Sequence, residues 1–414
     1  MTSSGPPIRK RAGIAAGALL ALCFSPAAAQ VVMPGSGPDG RVRLHTSDLA
    51  IFIARQPRRD LPCSVSPNKP MLGFDLKFHA SYEVAIPLKE LAGGPNMLNV
   101  LFRVTPKDPA GEPVYFRQRI RVPEIEPDAA GDAYLHGVFD VGEGIYEVDW
   151  LMRDHAGRVC SAFWEVDARL KGRDADIGLM IRPGAVAAAE FQQFKEEPPV
   201  LRTGGEDGLR IKVLVNFAPQ NQHAATLQPI DTSALVAILR TISREPRISK
   251  FSVVAFNLQE RRVLFRQDDA DQIDFPALGA SLDKLELGTI DLARLTDKGG
   301  ETRFLTELIQ QELGSGEPPD ALVFAGPKAI LDHKVPVADL KVLGELPFPV
   351  FYMNYNLYPY QIPWRDTIGL AVKSLAGREF TITRPRDLYH AVTEMITEIL
   401  DWKQRRGVTT ASSG

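Results

Sequence analysis

The sequence is poor in the residues from which recognisable catalytic and metal-binding motifs are built. It has 3 cysteines and 7 histidines in 414 residues. The histidines, His45, His79, His136, His155, His223, His333 and His390, are scattered, without the spacing that holds a local metal site. No G-x-S-x-G elbow, G-x-x-x-x-G-K-[ST] loop or H-E-x-x-H pair occurs, which removes the enzyme classes that those motifs announce. Positive charge is not in excess either. Lys and Arg number 48 against 51 Asp and Glu, a formal net charge of −3, and this argues against general nucleic-acid binding. Beyond the N-terminus no segment approaches the roughly 18 to 20 uninterrupted apolar residues of a membrane span.

The N-terminus itself reads as a processing signal over residues 1–29. Arg9, Lys10 and Arg11 form a basic start, Ala12 to Phe24 an apolar run, and Ala27-Ala28-Ala29 a small-residue cleavage site before Gln30. Export to the periplasm or the extracellular space is the expectation. A lipoprotein signal would need a small residue where Leu22 precedes Cys23. Loss of the signal removes three basic residues and leaves the mature chain more acidic still. Cys63 and Cys160 remain, an even pair in an oxidising compartment, and are expected to form a disulfide.

The next residues, 30–44, are rich in Gly and Pro and read as flexible. The apolar run from Asp48 to Arg55 suggests a strand. From Leu72 to Leu88 apolar side chains fall at every second position, the period of one bent strand or two with a single buried face. Further strands are expected at Leu98 to Val104, Val114 to Val122 and Tyr134 to Val141. A hairpin then sets Tyr146, Val148, Trp150 and Met152 in step with Cys160, Ala162, Trp164 and Val166. Short alternating strands broken by Gly, Pro and Asp predict an Ig-like β-sandwich over residues 45–172. Arg117, Arg119 and Arg121 alternate on one strand and read as a solvated face, and His79 and His136 as surface residues on the polar side of theirs. Residues 173–207 read as a linker with a short helix near Ala185 to Lys195.

Residues 208–403 predict a doubly wound α/β domain. Strands are expected at Ile211 to Val215, Phe251 to Asn257, Val263 to Gln267, Ala321 to Phe324, Val350 to Met353 and Glu379 to Thr383. Helices lie between them, at about Thr232 to Ser243, Phe275 to Leu285 and Thr302 to Leu313. Leu388, Ala391, Val392, Met395, Ile396, Ile399 and Leu400 form a helical stripe, with Asp387 placed to support its start. The acidic run Asp268, Asp269, Asp271 and Asp274 lacks the Gly and terminal Glu of a calcium loop and reads as a charged turn. Residues 404–414 read as a disordered tail.

This order, IKVLVNFAPQ as strand and polar loop, then helix, hairpin, helices, two buried strands and GREFTITRPRDLYHAVTEM as strand and closing helix, resembles a von Willebrand factor A (vWA) domain of the kind found in exported bacterial proteins. The resemblance implies a metal-dependent adhesion site, and there the sequence departs. Asn216, Ala218 and Gln220 stand in the Asp-x-Ser-x-Ser positions. Thr302 offers a displaced match for the family's Thr, and Phe324-Ala325-Gly326 replaces Thr-Asp-Gly. Alanine offers Mg²⁺ no oxygen, so the metal site reads as lost, with no metal or cofactor expected.

Ligands of open α/β sheets bind beyond the carboxyl ends of the strands. The loops expected there carry Asn354, Tyr355, Asn356, Tyr358, Tyr360 and Trp364, together with Gln220 and Asn221, and these are the candidate contact residues for an unidentified protein partner. The reading is a non-enzymatic interaction or adhesion module. Two alternatives stand beside it. One keeps metal-dependent adhesion with Asn216, Gln220, Thr302 and Asp297 as altered ligands, and the other is a hydrolase assembled from distant loops.

Overall fold

The computed structural model describes residues 30–34, 42–203, 207–221, 224, 226–285, 287, 297, 299–314, 317–331, 333, 335–341, 344–357 and 366–411. The signal assigned to residues 1–29 lies outside them.

The N-terminal part holds ten strands: β1 (Val31–Val32), β2 (Ser64–Pro67), β3 (Met71–Leu72), β4 (Phe78–Pro87), β5 (Asn96–Asp108), β6 (Val114–Val122), β7 (Asp132–Val141), β8 (Gly144–Arg153), β9 (Val159–Ala168) and β10 (Val186–Ala188). They form two antiparallel sheets, β1-β6-β5-β8-β9 and β10-β7-β4-β2, with β3 also on β4. The alternation seen in the sequence is the reason: β4 buries every second residue from Phe78 to Ile86. Its side chains meet those of β5, β6, β7 and β8 in one core. Phe102 and Phe116 stack there at 4.6 Å, and Tyr82 meets Trp150 edge-on at 5.8 Å. Register pairs Trp150 with Ala162 and Met152 with Cys160, as the hairpin pattern requires. Cys63 and Cys160 are disulfide-bonded, tying the segment before β2 to β9 across a separation of 97 residues.

Three local expectations are corrected. Asp48 to Arg55 is not a strand, because helix α1 (Thr46–Ala54) occupies it. Asp48, Ile51 and Phe52 share one helical face and are buried, the last two against Leu101, Leu151 and Val159 on the outside of the sheet. The Ala-rich stretch near 185 is not helical. Val186–Ala188 pairs with Val141, Asp140 and Phe139, so the sandwich extends past residue 172 and edge pairing outweighs alanine's helix propensity. Within Leu72 to Leu88, Gly73 to Lys77 form a turn that separates β3 from β4. A one-turn helix, α2 (Leu88–Leu91), follows β4.

The C-terminal part is one mixed sheet with helices on both faces. Its strands are β11 (Leu209–Asn216), β12 (Ile248–Asn257), β13 (Arg262–Ala270), β14 (Ala321–Gly326), β15 (Val350–Tyr355) and β16 (Arg378–Ile382), in the order β13-β12-β11-β14-β15-β16. All pairs are parallel except β12 with β13. The helices are α3 (Pro229–Ser243), α4 (Phe275–Leu282), α5 (Gly300–Gly314), α6 (Val337–Lys341), α7 (Thr367–Ser374) and α8 (Pro385–Ala411). α3, α4 and α8 pack on one face, and α5 and α7 on the other. A sheet covered on both sides needs unbroken apolar strands, and β11, β14 and β15 are buried almost throughout. Lys212 is a charged residue buried within β11. Its ammonium lies 3.1 Å from Glu312 Oε2 on α5, and Arg266 on β13 holds the other carboxylate oxygen at 2.5 Å.

Local caps set the helix starts. Gln228 and Asp231 form a reciprocal capping box at α3. Asp387 accepts from the amides of Thr383 and Arg384 before α8, as the sequence suggested. That helix runs on to Ala411 instead of ending in a disordered tail from 404, and only residues 412–414 lie outside the description.

The sandwich rests on the α3 and α8 face. Phe74, in the turn between β3 and β4, packs against the core under those helices. Arg386 faces Asp174 at 3.7 Å, and a Cβ added at Gly178 would come 3.3 Å from Tyr389. Glu197, from the connecting segment, is buried between Arg240 and Arg244 of α3 and its C-terminal cap, with contacts of 2.9 and 2.6 Å.

Candidate functional site

β11 lies at the middle of the sheet, and the chain proceeds from it towards one edge through β12 and towards the other through β14. Loops leaving β11 and β14 therefore diverge, which opens a crevice beyond their carboxyl ends. A cavity of about 200 Å³ sits there, between the loop after Asn216, Leu258 after β12, and the segment Pro327 to Leu331 after β14. The backbones of the two strands are close at its floor. A Cβ at Gly326 would lie 3.0 Å from Asn216 Cβ and 3.2 Å from its carbonyl oxygen, so glycine is what lets them approach.

Asn216 is buried, and its Oδ1 accepts from the Leu258 amide at 3.3 Å. Its Nδ2 is buried without a hydrogen-bond partner. An unsatisfied buried donor costs free energy unless something else meets it, so this amide is the most informative atom of the crevice. Ala218 and Ala329 add apolar wall, and Ile330 at the mouth is exposed. Lys328 faces Glu379 Oε1 at 3.3 Å, which offsets its charge.

The residues considered as altered metal ligands each have other partners. Thr302 Oγ1 donates to the His333 carbonyl at 2.8 Å. Asp297 bridges Arg261 and Arg303 at 2.8 and 2.7 Å. Gln220 joins its amide to Asn356 Oδ1 at 2.8 Å and accepts from the Leu357 amide at 2.9 Å. These bonds engage the three side chains with neighbours in the fold.

The loop expected to make partner contacts is divided. Tyr358, Tyr360 and Trp364 lie outside the described residues. Asn354, Tyr355 and Asn356 are buried, so their side chains belong to the scaffold and not to an exposed contact surface. Asn354 Nδ2 reaches Glu379 Oε1 at 2.6 Å and Thr381 Oγ1 at 3.1 Å. Tyr355 donates to the Ala218 carbonyl at 3.2 Å and lies 3.5 Å from Asp231. Burial, with the nearby Asp231 carboxylate, pushes the Tyr355 phenol well above its ordinary value. Gln220 is half-buried beneath the same loop, and Asn221 is exposed beside it.

Next to the crevice, Asp366 opens α7. It accepts from the amides of Ile368 and Ala329, both at 3.2 Å, while its Oδ2 is buried without a partner. Burial raises its carboxyl to about 6, against the pull of the Gly369 and Ala329 amides.

A second cluster lies in the sandwich. His79, expected on a solvated face, is held between two carboxylates: Nδ1 is 2.7 Å from Asp140 Oδ1 and Nε2 is 3.0 Å from Asp75 Oδ1. Lys77 lies 3.7 and 3.6 Å from the same two side chains. Hydrogen bonds to Asp140 and then Asp75 raise the imidazole to about 10. Burial opposes ionisation of Asp75, but His79 and Lys77 outweigh it and hold that carboxyl below the usual value. Two cations already balance the two carboxylates and both ring nitrogens are engaged, so the cluster serves as an ion network and not as a metal site. It anchors the turn that carries Phe74 into the α/β part. Sequence alternation missed it because Asp140 reaches His79 only through the β4–β7 register.

Arg117, Arg119 and Arg121 are exposed, as expected of a solvated face. The acidic run is only in part a turn, since Asp268 and Asp269 lie in β13; Asp269 pairs with Arg210, Asp271 with Lys250, and Asp274 caps α4.

No family model matches the chain, and no curated protein matches it. Among solved structures, the PilB minor pilin from Streptococcus sanguinis is similar at 9% identity over 75% of this chain and 88% of that one, with a TM-score of 0.27. A beta-glucuronidase from Bacteroides uniformis is similar at 9% identity over 76% of this chain and 38% of that one, with a TM-score of 0.19. TM-scores this low do not establish a shared fold. Among the described residues no helix is long and apolar enough to cross a membrane.

Proposed function

We propose that the chain is an exported, non-enzymatic interaction module, in which a β-sandwich carries a vWA-like domain whose adhesion site has lost its metal and binds a protein partner at the strand ends. The observation that carries this reading is the sheet order β13-β12-β11-β14-β15-β16 with one antiparallel edge, combined with Ala218 and Ala325 where metal-ligating side chains would stand. The disulfide between Cys63 and Cys160 supports export, since such bridges persist in oxidising compartments.

The test is a thermal-unfolding series on the mature chain with Mg²⁺, Mn²⁺ or Ca²⁺. A ligand at about 100 times its dissociation constant adds roughly 2.7 kcal/mol to the folded state, a shift of several degrees. No metal is expected to produce it. A rise in midpoint that disappears in Thr302→Ala would overturn the metal-less reading, and turnover of ester, phosphate or glycoside substrates would overturn the non-enzymatic one.

A further inference from the structure

We propose that the outer edge of β6 takes up an extended polypeptide segment with carboxylates at alternate positions, which pair with Arg119 and Arg121 while its backbone adds a strand to the sheet. This surface lies apart from the strand ends of the α/β part. The inference rests on the reading above only for a mature chain that begins at Gln30.

The edge is partly filled. β1 pairs with Arg117 and Phe116, and the Met33 amide donates to the Tyr115 carbonyl at 2.8 Å. Backbone groups of an antiparallel strand alternate between its two sides, so Arg119 and Arg121 turn their N–H and C=O groups the same way as Tyr115 and Arg117. Among the described residues no backbone pairs with Arg119 or Arg121 on that side. Unpaired edge groups are the template on which a further strand adds.

Charge selects the strand. Arg117, Arg119 and Arg121 are exposed, and alternate side chains of a strand share one face at about 6.8 Å spacing. On β5 they stand opposite Leu101, Asn99 and Met97, none of them acidic, and among the described residues none of the three makes an ion pair. Elsewhere in the sandwich Arg103, Arg153, Arg158 and Arg169 each face a carboxylate. An added strand has the same period as β6, so acidic residues at every second position stand directly opposite Arg119 and Arg121, where unlike charges attract and like charges repel. A second copy of β6 would bring arginine beside arginine and is rejected on that ground. An anionic polysaccharide would meet the guanidinium groups but has no amide ladder for the edge.

The experiment uses residues 30–414 labelled with ¹⁵N-arginine. The chain is titrated with an acetylated heptapeptide in which glutamate alternates with valine, with a peptide of the same composition whose glutamates are contiguous, and with tetragalacturonate. The alternating peptide is expected to bind saturably, with a dissociation constant on the order of 0.1 to 1 mM for so short a strand. It should shift the backbone amides of Arg119 and Arg121, assigned by their loss in Arg119→Gln and Arg121→Gln. The contiguous peptide and the sugar should bind at least about tenfold more weakly. N-methylating the glutamates blocks the amides that face β6 and should weaken binding about tenfold, whereas N-methylating the valines, whose amides face away, should change it less than about threefold. The double variant Arg119→Gln with Arg121→Gln should bind the alternating peptide about tenfold more weakly, with melting curves verifying that it folds.

No saturable binding of the alternating peptide, equal or tighter binding of the contiguous peptide or the sugar, equal loss from both N-methylated peptides, or unchanged affinity in the folded double variant would overturn the inference. Its failure is distinct from failure of the reading above. An exported chain that keeps residues before Gln30, or metal-dependent stabilisation lost in Thr302→Ala, would defeat that reading, whereas the titrations of residues 30–414 decide the edge.

Discussion

Replacing Glu312 by alanine should unfold the α/β part at markedly lower denaturant concentration. Glu312 is 1% exposed in its side chain and Lys212 10%, so the substitution strands an ammonium in the middle of a sheet. Removing one partner of a buried ion pair costs about 3 to 5 kcal/mol, because the surviving charge keeps its desolvation penalty and loses its counterion. Two features place the value near the lower end. Lys212 Nζ retains the backbone carbonyl of residue 312 at 3.0 Å, and Arg266, 36% exposed, turns to water when its carboxylate is gone. The loss should therefore be about 3 kcal/mol. The double variant Lys212→Met with Glu312→Leu removes both charges and should return to within about 1 kcal/mol of the parent, since hydrophobic replacements of buried pairs are often neutral or stabilising. Guanidinium denaturation followed by circular dichroism at 222 nm reports the helices, most of which lie in this part. A Glu312→Ala protein within about 0.5 kcal/mol of the parent would refute the argument, because Lys212 would then have found water that the structure does not give it.

Three further outcomes are expected. Reducing the Cys63–Cys160 bridge, whose cysteines are 97 residues apart, should cost the sandwich roughly 4 to 5 kcal/mol in the chain-entropy model, read as a lower melting transition in dithiothreitol and absent in a Cys63→Ala, Cys160→Ala protein. His79, raised from 6.5 to about 10, contributes stability that is complete below pH 6.5 and lost as pH rises through 10. The deficit of His79→Gln against the parent should therefore be largest at pH 6 and shrink by pH 10.5, and a constant deficit would contradict the Asp75–His79–Asp140 network. Asp366, raised from 3.8 to about 6, also lowers stability as pH rises, but as a cost and not as a lost gain: its ionised form is penalised by burial, so the cost is absent below pH 3.8 and complete above 6. Asp366→Asn should accordingly gain stability at pH 7.5 and show little gain at pH 4, provided that its amide oxygen keeps the α7 cap.

Much of this architecture was legible because burial imposes a period. Phe78 to Ile86 alternates as a half-buried strand must, and the α8 stripe from Leu388 to Ile399 repeats at helical spacing for the same reason. Strands covered on both faces, such as Val213 to Val215 and Ala321 to Phe324, are unbroken apolar runs. Where a short apolar run permits either period, the reading failed. Ala50 to Ala54 is compatible with a strand until the sheet beneath offers Ile51 and Phe52 a helical stripe to fill. Alanines at 185, 187 and 188 favour a helix in isolation, but an open edge of β7 was there to be paired.

The site was legible only as a place. Local spacing identified the loops after β11, β14 and β15, yet it could not separate exposed contact residues from buried supports. Asn354 and Tyr355 turned inward because Glu379, Thr381 and the Ala218 carbonyl, distant in sequence, supplied partners for Asn354 Nδ2 and the Tyr355 hydroxyl. The unpartnered amide of Asn216 and the cavity beside it have no counterpart in any linear pattern.

By itself, then, the sequence determined the longer elements, since each of those must present a repeating apolar face to be buried at all. It also narrowed the disulfide's participants to three cysteines, of which Cys63 and Cys160 form the bond. Tertiary structure alone decided which charges are paired and which polar atom is left wanting. Lys212 with Glu312, His79 with Asp140, and the free donor of Asn216 depend on distances between residues far apart in the chain, and hydrogen bonds and ion pairs are made or missed within an ångström.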